Sequence, residues 1–168
     1  MIVREATRED VAAIVEFQRA MARETEGRDL DAALVTRGVA AVFDAADGRE
    51  RGWYLVAEAD GDVIGSLMVT YEWSDWRAGW FWWIQSVFIV EARRGRGVYR
   101  ALYAEVLRRA EARGDVCGVR LYVELENTRA RAVYERLGMV RAHYHLYEVD
   151  FVLGAGAAAP GAEDGTRR

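Results

Sequence analysis

Residues Trp80 to Val90 form an eleven-residue stretch without a charge, and Glu91-Ala92-Arg93-Arg94-Gly95-Arg96-Gly97 follows it directly. A run this apolar fits a strand covered on both faces, as in a sheet with helices packed against it. After Gly97 the apolar period changes from that of a strand to that of a helix. Val98, Leu102, Val106 and Leu107, with Ala101 and Ala110, form one stripe of a helix to about Arg113. Val119 to Leu125 is again strand-like. Strand, helix and strand in this order make a βαβ unit, with parallel strands and a right-handed crossover. The rest of the chain must fit around that unit.

Ile2 to Ala6 reads as a first strand. Thr7 is placed to cap the next turn through its hydroxyl, with Asp10 three residues on. Val11, Ile14, Val15, Gln18 and Met21 then carry a helix to about Arg23, and the polar stretch Glu24 to Asp29 interrupts it. A second helix is expected from Leu30 to Asp44, capped by Asp29, with Leu34, Val35, Val42 and Phe43 turned inward and Ala45-Ala46-Asp47-Gly48 closing it. Tyr54–Ala59 and Val63–Trp73 are strands, and Asp60-Gly61 between them signals a tight hairpin. Ser74 to Gly79 leads into the apolar stretch. Beyond Leu125, Asn127 opens a helix to Leu137, and Gly138 ends it. Met139–Arg141 and Tyr144–Leu153 are expected to form a closing antiparallel pair. The Gly- and Ala-rich residues 154–168 read as a disordered tail behind a single domain, 1–153.

Composition removes several function classes. The net charge of −4 disfavours general nucleic-acid binding, which needs a basic face. RNA contact through Arg93, Arg94, Arg96 and Arg100 is correspondingly a weak alternative. All 23 basic residues are arginine, which reads as compositional bias. The single cysteine, Cys117, cannot form an internal disulfide and, lying before the last core strand, reads as a packed thiol. Together with His143 and His145 it offers no metal-ligand spacing, so no metal is expected. No apolar run reaches the roughly 18 residues of a membrane span, and Met1-Ile2-Val3-Arg4-Glu5 is not an apolar leader. A cytoplasmic location without membrane contact is the expectation.

The loop Arg93–Gly97 carries the strongest chemical signal because it lies at the start of a helix. A helix N-terminus presents unsatisfied amides and about half a positive charge. Gly95 and Gly97 let the backbone approach an anion, and arginine keeps its charge near neutral pH. The Gly-Lys-Ser/Thr ending of a Walker loop is missing. By itself the loop is equally an ordinary glycine-containing turn.

Val87 to Leu102 resembles motif A of the GNAT acetyltransferases, whose loop is written (Gln/Arg)-x-x-Gly-x-(Gly/Ala); Arg94, Gly97 and Tyr99 fall on its three fixed positions. Leu121-Tyr122-Val123-Glu124-Leu125-Glu126-Asn127, followed by Ala130, Tyr134, Gly138 and Met139, resembles motif B. Two departures stand out. Tyr99 replaces the usual Gly or Ala, so its ring must turn away from the ligand, and Glu91-Ala92 stand where a proline is common. The resemblance implies an α/β (α+β) fold, with a mixed, mostly antiparallel sheet of six to seven strands and about four flanking helices.

It also implies a reaction: direct transfer of acetyl from acetyl-coenzyme A to a primary amine. The two parallel strands would splay at a bulge. Val87, Phe88 and Ile89 would then line the pantetheine arm, and Arg94, Gly95, Arg96, Gly97, Val98, Tyr99 and Arg100 would hold the pyrophosphate. Asn127 would cap its helix or bond the coenzyme. Tyr134 would protonate or hold the departing sulfur, the alternative being a buried aromatic. No residue stands out as general base; Glu24, Glu72, Asp75 and Glu124 are the candidates. An acceptor site is expected from Glu24, Glu72, Trp73, Asp75, Trp83 and Glu124, because acids beside indole faces suit a cation. A small cationic amine, aminoglycoside- or polyamine-like, is preferred over a protein terminus or lysine. The rival from another class is a non-catalytic acyl-coenzyme A-binding module. A homodimer through exposed aromatics and the unpaired last strand is a further expectation.

Overall fold

The computed structural model describes residues 1–44 and 51–152. Nine principal elements follow in order: β1 (Ile2–Glu5), α1 (Val11–Glu26), α2 (Ala32–Ala40), β2 (Trp53–Ala59), β3 (Asp62–Ser74), β4 (Gly79–Ile89), α3 (Val98–Arg113), β5 (Val116–Leu121) and α4 (Thr128–Arg136). The strands form one sheet in the order β1-β2-β3-β4-β5. Its first three pairings are antiparallel, and β4 and β5 run parallel across α3. The mixed α/β architecture is the expected one.

Successive side chains of a strand point to opposite faces, so each strand contributes to two cores. Leu55, Leu67, Val69, Trp82 and Ile84 meet Val98, Leu102, Val106 and Ala110 of α3. Tyr54 and Val56 meet Ile14 and Val15 of α1 and Val39 of α2 on the other face. Fully burying an aliphatic side chain contributes about 1.5–3 kcal/mol, so the Val98–Leu102–Val106 stripe alone anchors α3 firmly against the sheet.

Several local expectations shift. At the entry to α1 the expected capping box forms between Thr7 and Asp10 around the 3-10 turn Arg8–Asp10, and the Asp10 carboxylate is its better-held half. That carboxylate accepts the Thr7 amide at 2.7 Å, with the Thr7 hydroxyl donating to it at 3.3 Å. Arg4 clamps the same carboxylate at 2.7 and 2.9 Å and holds it below the usual carboxylate range. Helix α1 continues one turn past Arg23, to Gly27. The cap of α2 is Asp31, not Asp29, because its Oδ1 accepts the Leu34 amide at 2.6 Å. Val35, Val42 and Phe43 turn inward as expected, with Val39 between them, whereas Leu34 is exposed.

Helix α2 itself ends at Ala40, and a 3-10 turn continues it to Phe43. Residues 45–48, assigned to its close, lie outside the described residues. Strand β5 begins three residues earlier than expected, since Trp80 donates to the Asp115 carbonyl at 2.8 Å immediately after α3. Cys117 is therefore inside β5, half-buried and free.

The expected closing pair of strands is absent among the described residues, which leaves five strands rather than six or seven. Gly138 turns the chain after α4 and Met139 packs on the α3-side core. From Val140 onward the described chain has no strand partner. Residues 153–168, the expected end of the last strand and the tail, lie outside the described residues.

Candidate functional site

Strand β4 breaks from regular geometry where the site begins. Ser66 opposes Phe88 and Met68 opposes Gln85, so Leu67 faces two residues, Ser86 and Val87. That is a bulge, and Ser86 makes it by adopting φ of 52°. A left-handed serine costs about 1–2 kcal/mol, which the surrounding ladder must hold in place. Pairing of β4 with β5 stops just before it, at Ile84 opposite Leu121.

Gln85 to Ile89 therefore have no strand partner on the β5 side among the described residues. The Val90 amide donates to Ile64 at 3.0 Å. By the alternation of an antiparallel ladder, the backbone polar groups of Val87 and Ile89 face away from β3, where the Ile89 carbonyl is already engaged by Arg94. Phe88 instead turns its ring onto Phe17 of α1, with centroids 5.0 Å apart.

The loop after β4 delivers its amides to the same opening. Gly97 is the N-cap of α3 in a left-handed conformation, φ 81°, and it has no side chain with which to cap the helix. No acidic residue lies in the first turn of α3. A Cβ built on Gly95 or Gly97 meets nothing within 4 Å, so the space beyond them is open. Arg96 and Arg100 are exposed and have no ion-pair partner among the described residues.

Arg94 behaves differently from these two. Its Nε donates to the Ile89 carbonyl at 2.8 Å, and its other nitrogen reaches Glu24 at 2.7 Å. The guanidinium also lies 5.5 Å over the Phe88 ring. It braces the loop against α1 and takes Glu24 away from the expected acceptor site. Arg93 likewise holds Asp60 at 2.9 Å.

Behind the loop stands an aromatic wall. Val98 is buried in the α3-side core, and the Tyr99 ring packs against Tyr103 at 6.0 Å and edge-on to Tyr134 at 5.4 Å. Tyr99 thus turns inward, and its amide stays in the first turn of α3. Burial pushes both phenols upward from their ordinary value, Tyr99 strongly. Tyr134 consequently retains its proton through neutral pH and beyond. Asn127 caps α4, its Oδ1 accepting the Ala130 amide at 3.0 Å.

On the face of β4 that looks toward α1, the strands carry Thr70 and Glu72, Phe81, Trp83 and Gln85, and Arg120 and Tyr122. The Gln85 amide donates to the Thr70 hydroxyl at 2.7 Å. Glu72 accepts the Trp83 indole N–H and an Arg120 nitrogen, the latter at 2.9 Å. Arg120 lies 3.5 Å over the Phe81 ring, and Trp83 packs on Tyr122 at 4.5 Å. Gly118 is needed beside them, since a Cβ there would come within 2.6 Å of the Phe81 ring.

Of the six residues expected to hold an acceptor, only Glu72 and Trp83 meet. Trp73 lies on the opposite face against Trp80 at 5.0 Å, Asp75 accepts the Trp76 amide within a turn, and Glu124 is exposed beyond β5. Arg120 and Tyr122 were missed. Only the β4–β5 register, Trp83 opposite Arg120, reveals them.

Two cavities of about 300 and 460 Å³ open at the other end of the sheet, among residues including Trp53, Tyr71, Trp80, Trp82 and Arg113. Neither is lined by Tyr134 or the loop. The parted ends of β4 and β5 line neither cavity, and the chemistry points to them nonetheless. Among the described residues no group of His, Cys, Asp and Glu could hold a metal ion, and no helix is long and apolar enough to cross a membrane.

Comparison with known proteins bears on the same region. The family model described as "Acetyltransferase (GNAT) family" matches residues 13–139, from α1 through α4. A solved structure from Clostridium difficile 630, described as "a possible acetyltransferase", is 39% identical with a TM-score of 0.79, covering 90% of this chain and 97% of that one. A structure from Clostridium acetobutylicum, described as a "predicted acetyltransferase with acetyl-CoA", is 16% identical with a TM-score of 0.70, covering 88% of this chain and 95% of that one. A transcriptional regulator from Bacillus halodurans C-125, 23% identical with a TM-score of 0.73, covers 89% of this chain and 99% of its own. At those two lower identities the likeness is one of fold. No curated protein matches the chain.

Proposed function

Since this chain belongs to the GNAT acetyltransferase family, we propose that it transfers an acetyl group from acetyl-coenzyme A directly to the primary amine of a small cationic acceptor. One observation carries the reading. The start of α3, with no side-chain cap, follows the edge of β4 that β5 leaves unpaired, and Tyr134 stands behind the loop through its contact with Tyr99.

These residues fit the coenzyme. Amides of the first turn of α3 would bind the pyrophosphate, with Arg96 and Arg100 adding charge. Val87 and Ile89 would pair with the pantetheine arm as an added strand. Once bound, acetyl-coenzyme A supplies an activated thioester. The left-handed Ser86 bends β4 so that a backbone amide is available to an oxygen on which negative charge develops. Tyr134 holds a proton that it can give to a sulfur leaving with the bond's electrons. An unperturbed phenol has a pKa near 10 and a thiol about 8.5, and burial raises Tyr134 further, so the transfer is uphill and requires a hydrogen bond. No covalent enzyme intermediate is needed, because aligned amine and thioester react directly. Cys117, half-buried in β5, takes no part.

The acceptor would approach over Thr70, Glu72, Trp83, Gln85 and Tyr122. Trp83 and Tyr122 present aromatic faces to a cation. The Glu72 carboxylate, although engaged by Arg120, remains the anionic group of that floor. An acceptor ammonium with a pKa of about 10.4 must lose a proton before attack, and the Thr70–Gln85 pair offers the polar surface on which water can carry it away.

Calorimetry with coenzyme A and a thiol-release assay with acetyl-coenzyme A against a panel of amines test this reading. Binding together with turnover of polyamines or aminoglycosides is expected. Turnover confined to peptide termini or lysines would overturn the acceptor class. Binding with no turnover of any amine would make the chain an acyl-coenzyme A-binding module.

A further inference from the structure

The two cavities at the far end of the sheet are left unused by the acetyl-transfer chemistry. They measure about 300 and 460 Å³, and Tyr71 and Arg113 line both. Each is large enough for a small organic molecule. Three strands supply an aromatic wall on the α3 side of the sheet: Trp53 from β2, Tyr71 from β3, Trp80 and Trp82 from β4. Trp82 stands edge-on to Trp53 at 5.4 Å, and Tyr71 stands edge-on to Trp80 at 6.3 Å and to Trp82 at 6.4 Å. A flat aromatic ligand can extend the same edge-to-face pattern.

The charged lining is one-sided. Arg51, Arg109 and Arg113 accompany a single carboxylate, Glu5, which Arg109 already holds. Arg109 also donates to Glu105 at 2.8 Å and lies 5.0 Å over the Trp53 ring, so it is a fixed part of the wall. Arg51 donates to the Ala41 and Asp44 carbonyls at 3.4 and 3.1 Å. Arg113 bonds Asp115 through its Nε at 2.8 Å, and its two terminal nitrogens have no partner among the described residues. Trp82 carries a second donor of this kind. It lines the larger cavity and is only 3% exposed, yet its indole N–H has no hydrogen-bond partner among the described residues. Buried N–H groups are normally paired. Indole and guanidinium nitrogens can only donate, so the missing partner is an acceptor. Three guanidiniums favour one that carries negative charge.

We propose that this end of the sheet binds a small aromatic carboxylate, its ring against Trp53, Tyr71 and Trp82 and its oxygens accepting from Arg113 and the Trp82 indole. An aromatic ammonium would make the same ring contacts but would meet the guanidiniums with like charge. A neutral ring would leave both donors unanswered. The start of α3, Ser86 and Tyr134 line neither cavity, so the site stands independently of the acetyltransferase reading.

Three probes of one shape test the site on the full chain: naphthoate, its neutral amide and naphthylmethylamine. Calorimetry gives their affinities, and nitrogen–proton NMR spectra follow the six tryptophan indoles, assigned through the backbone. Naphthoate should move the Trp82 indole signal and bind about tenfold more tightly than the amide, with the amine weaker still. Arg113→Gln changes an exposed side chain and should keep the circular dichroism spectrum. It should lower naphthoate affinity about fivefold, toward that of the amide, and leave coenzyme A affinity unchanged. A Trp82 signal that does not move at millimolar naphthoate would overturn the proposal. So would an amide or amine that binds as tightly as the acid, or an affinity indifferent to Arg113→Gln. Naphthoate that coenzyme A displaces would lie in the coenzyme site and overturn it as well. Loss of coenzyme A binding alone would fault the acetyltransferase reading and leave this site standing.

Discussion

At the Ile89 end of β4 the charged and polar groups are left open, whereas on its α1-side face they satisfy one another. Arg96 and Arg100 have no ion-pair partner among the described residues, and the first turn of α3 holds no acidic residue. Glu72, Arg120 and Trp83 instead bond together, over the Phe81 ring. The difference shows two ways of building a binding surface. An anion site works with donors left without partners, because the ligand brings the acceptors. A site for varied amines is better served by a self-satisfied polar and aromatic floor, which stays ordered whatever lies on it.

The comparison can be broken in several places. The largest effect is expected from Tyr134→Phe, which should lower kcat by on the order of 10²-fold, the usual scale for a lost proton donor. Coenzyme A affinity in calorimetry should hold. Equal loss of both would make Tyr134 only a packing partner of Tyr99. Next is Gly97→Val. A branched residue at φ 81° is strained by about 1–2 kcal/mol and faces open space rather than protein. Coenzyme A affinity should fall about tenfold with the circular dichroism spectrum unchanged. An unaltered dissociation constant would remove the start of α3 from the site.

Smaller is the effect of Glu72→Gln, which leaves a half-exposed pair without its charge. KM for the amine should rise several-fold, coenzyme A affinity should not move, and Tm should change by less than the equivalent of about 1 kcal/mol. A fall in coenzyme A affinity of the same size would contradict the separation of the two regions. The smallest is a null effect of pH. Burial raises the Tyr134 phenol above its ordinary value near 10. Its proton is therefore retained as pH rises to that value and is lost only beyond it. The alkaline limb of kcat should lie above pH 10, and a limb near pH 8 that Tyr134→Phe abolishes would refute the assignment.

How far each region could be read beforehand follows the same division. The helix expected from Val98 to about Arg113 forms over those residues, and Gly97 is its left-handed N-cap. A repeat of 3.6 and a glycine that accepts positive φ are properties of neighbouring residues. The last strands failed because residues 143–152 alternate like a strand but pair with no strand among the described residues. Asp29 and Asp31 both precede the apolar run, so local sequence does not tell the expected cap, Asp29, from the one that forms, Asp31. The choice fell to whichever placed Val35, Val39 and Val42 against Tyr54 and Val56.

The sequence by itself determined the βαβ unit, the glycine start of α3 and the family to which the chain belongs, because each is written in contiguous residues whose backbone preferences and periodicity act locally. Tertiary structure alone decided that Arg120 answers Glu72, that Tyr99 stands against Tyr134 and that Arg94 reaches Glu24. Those meetings depend on strand register and on how helices seat against the sheet. A slip of one residue would turn every side chain of β5 to its other face. Such a register is fixed by the packing of the whole core, and no short stretch of sequence contains it.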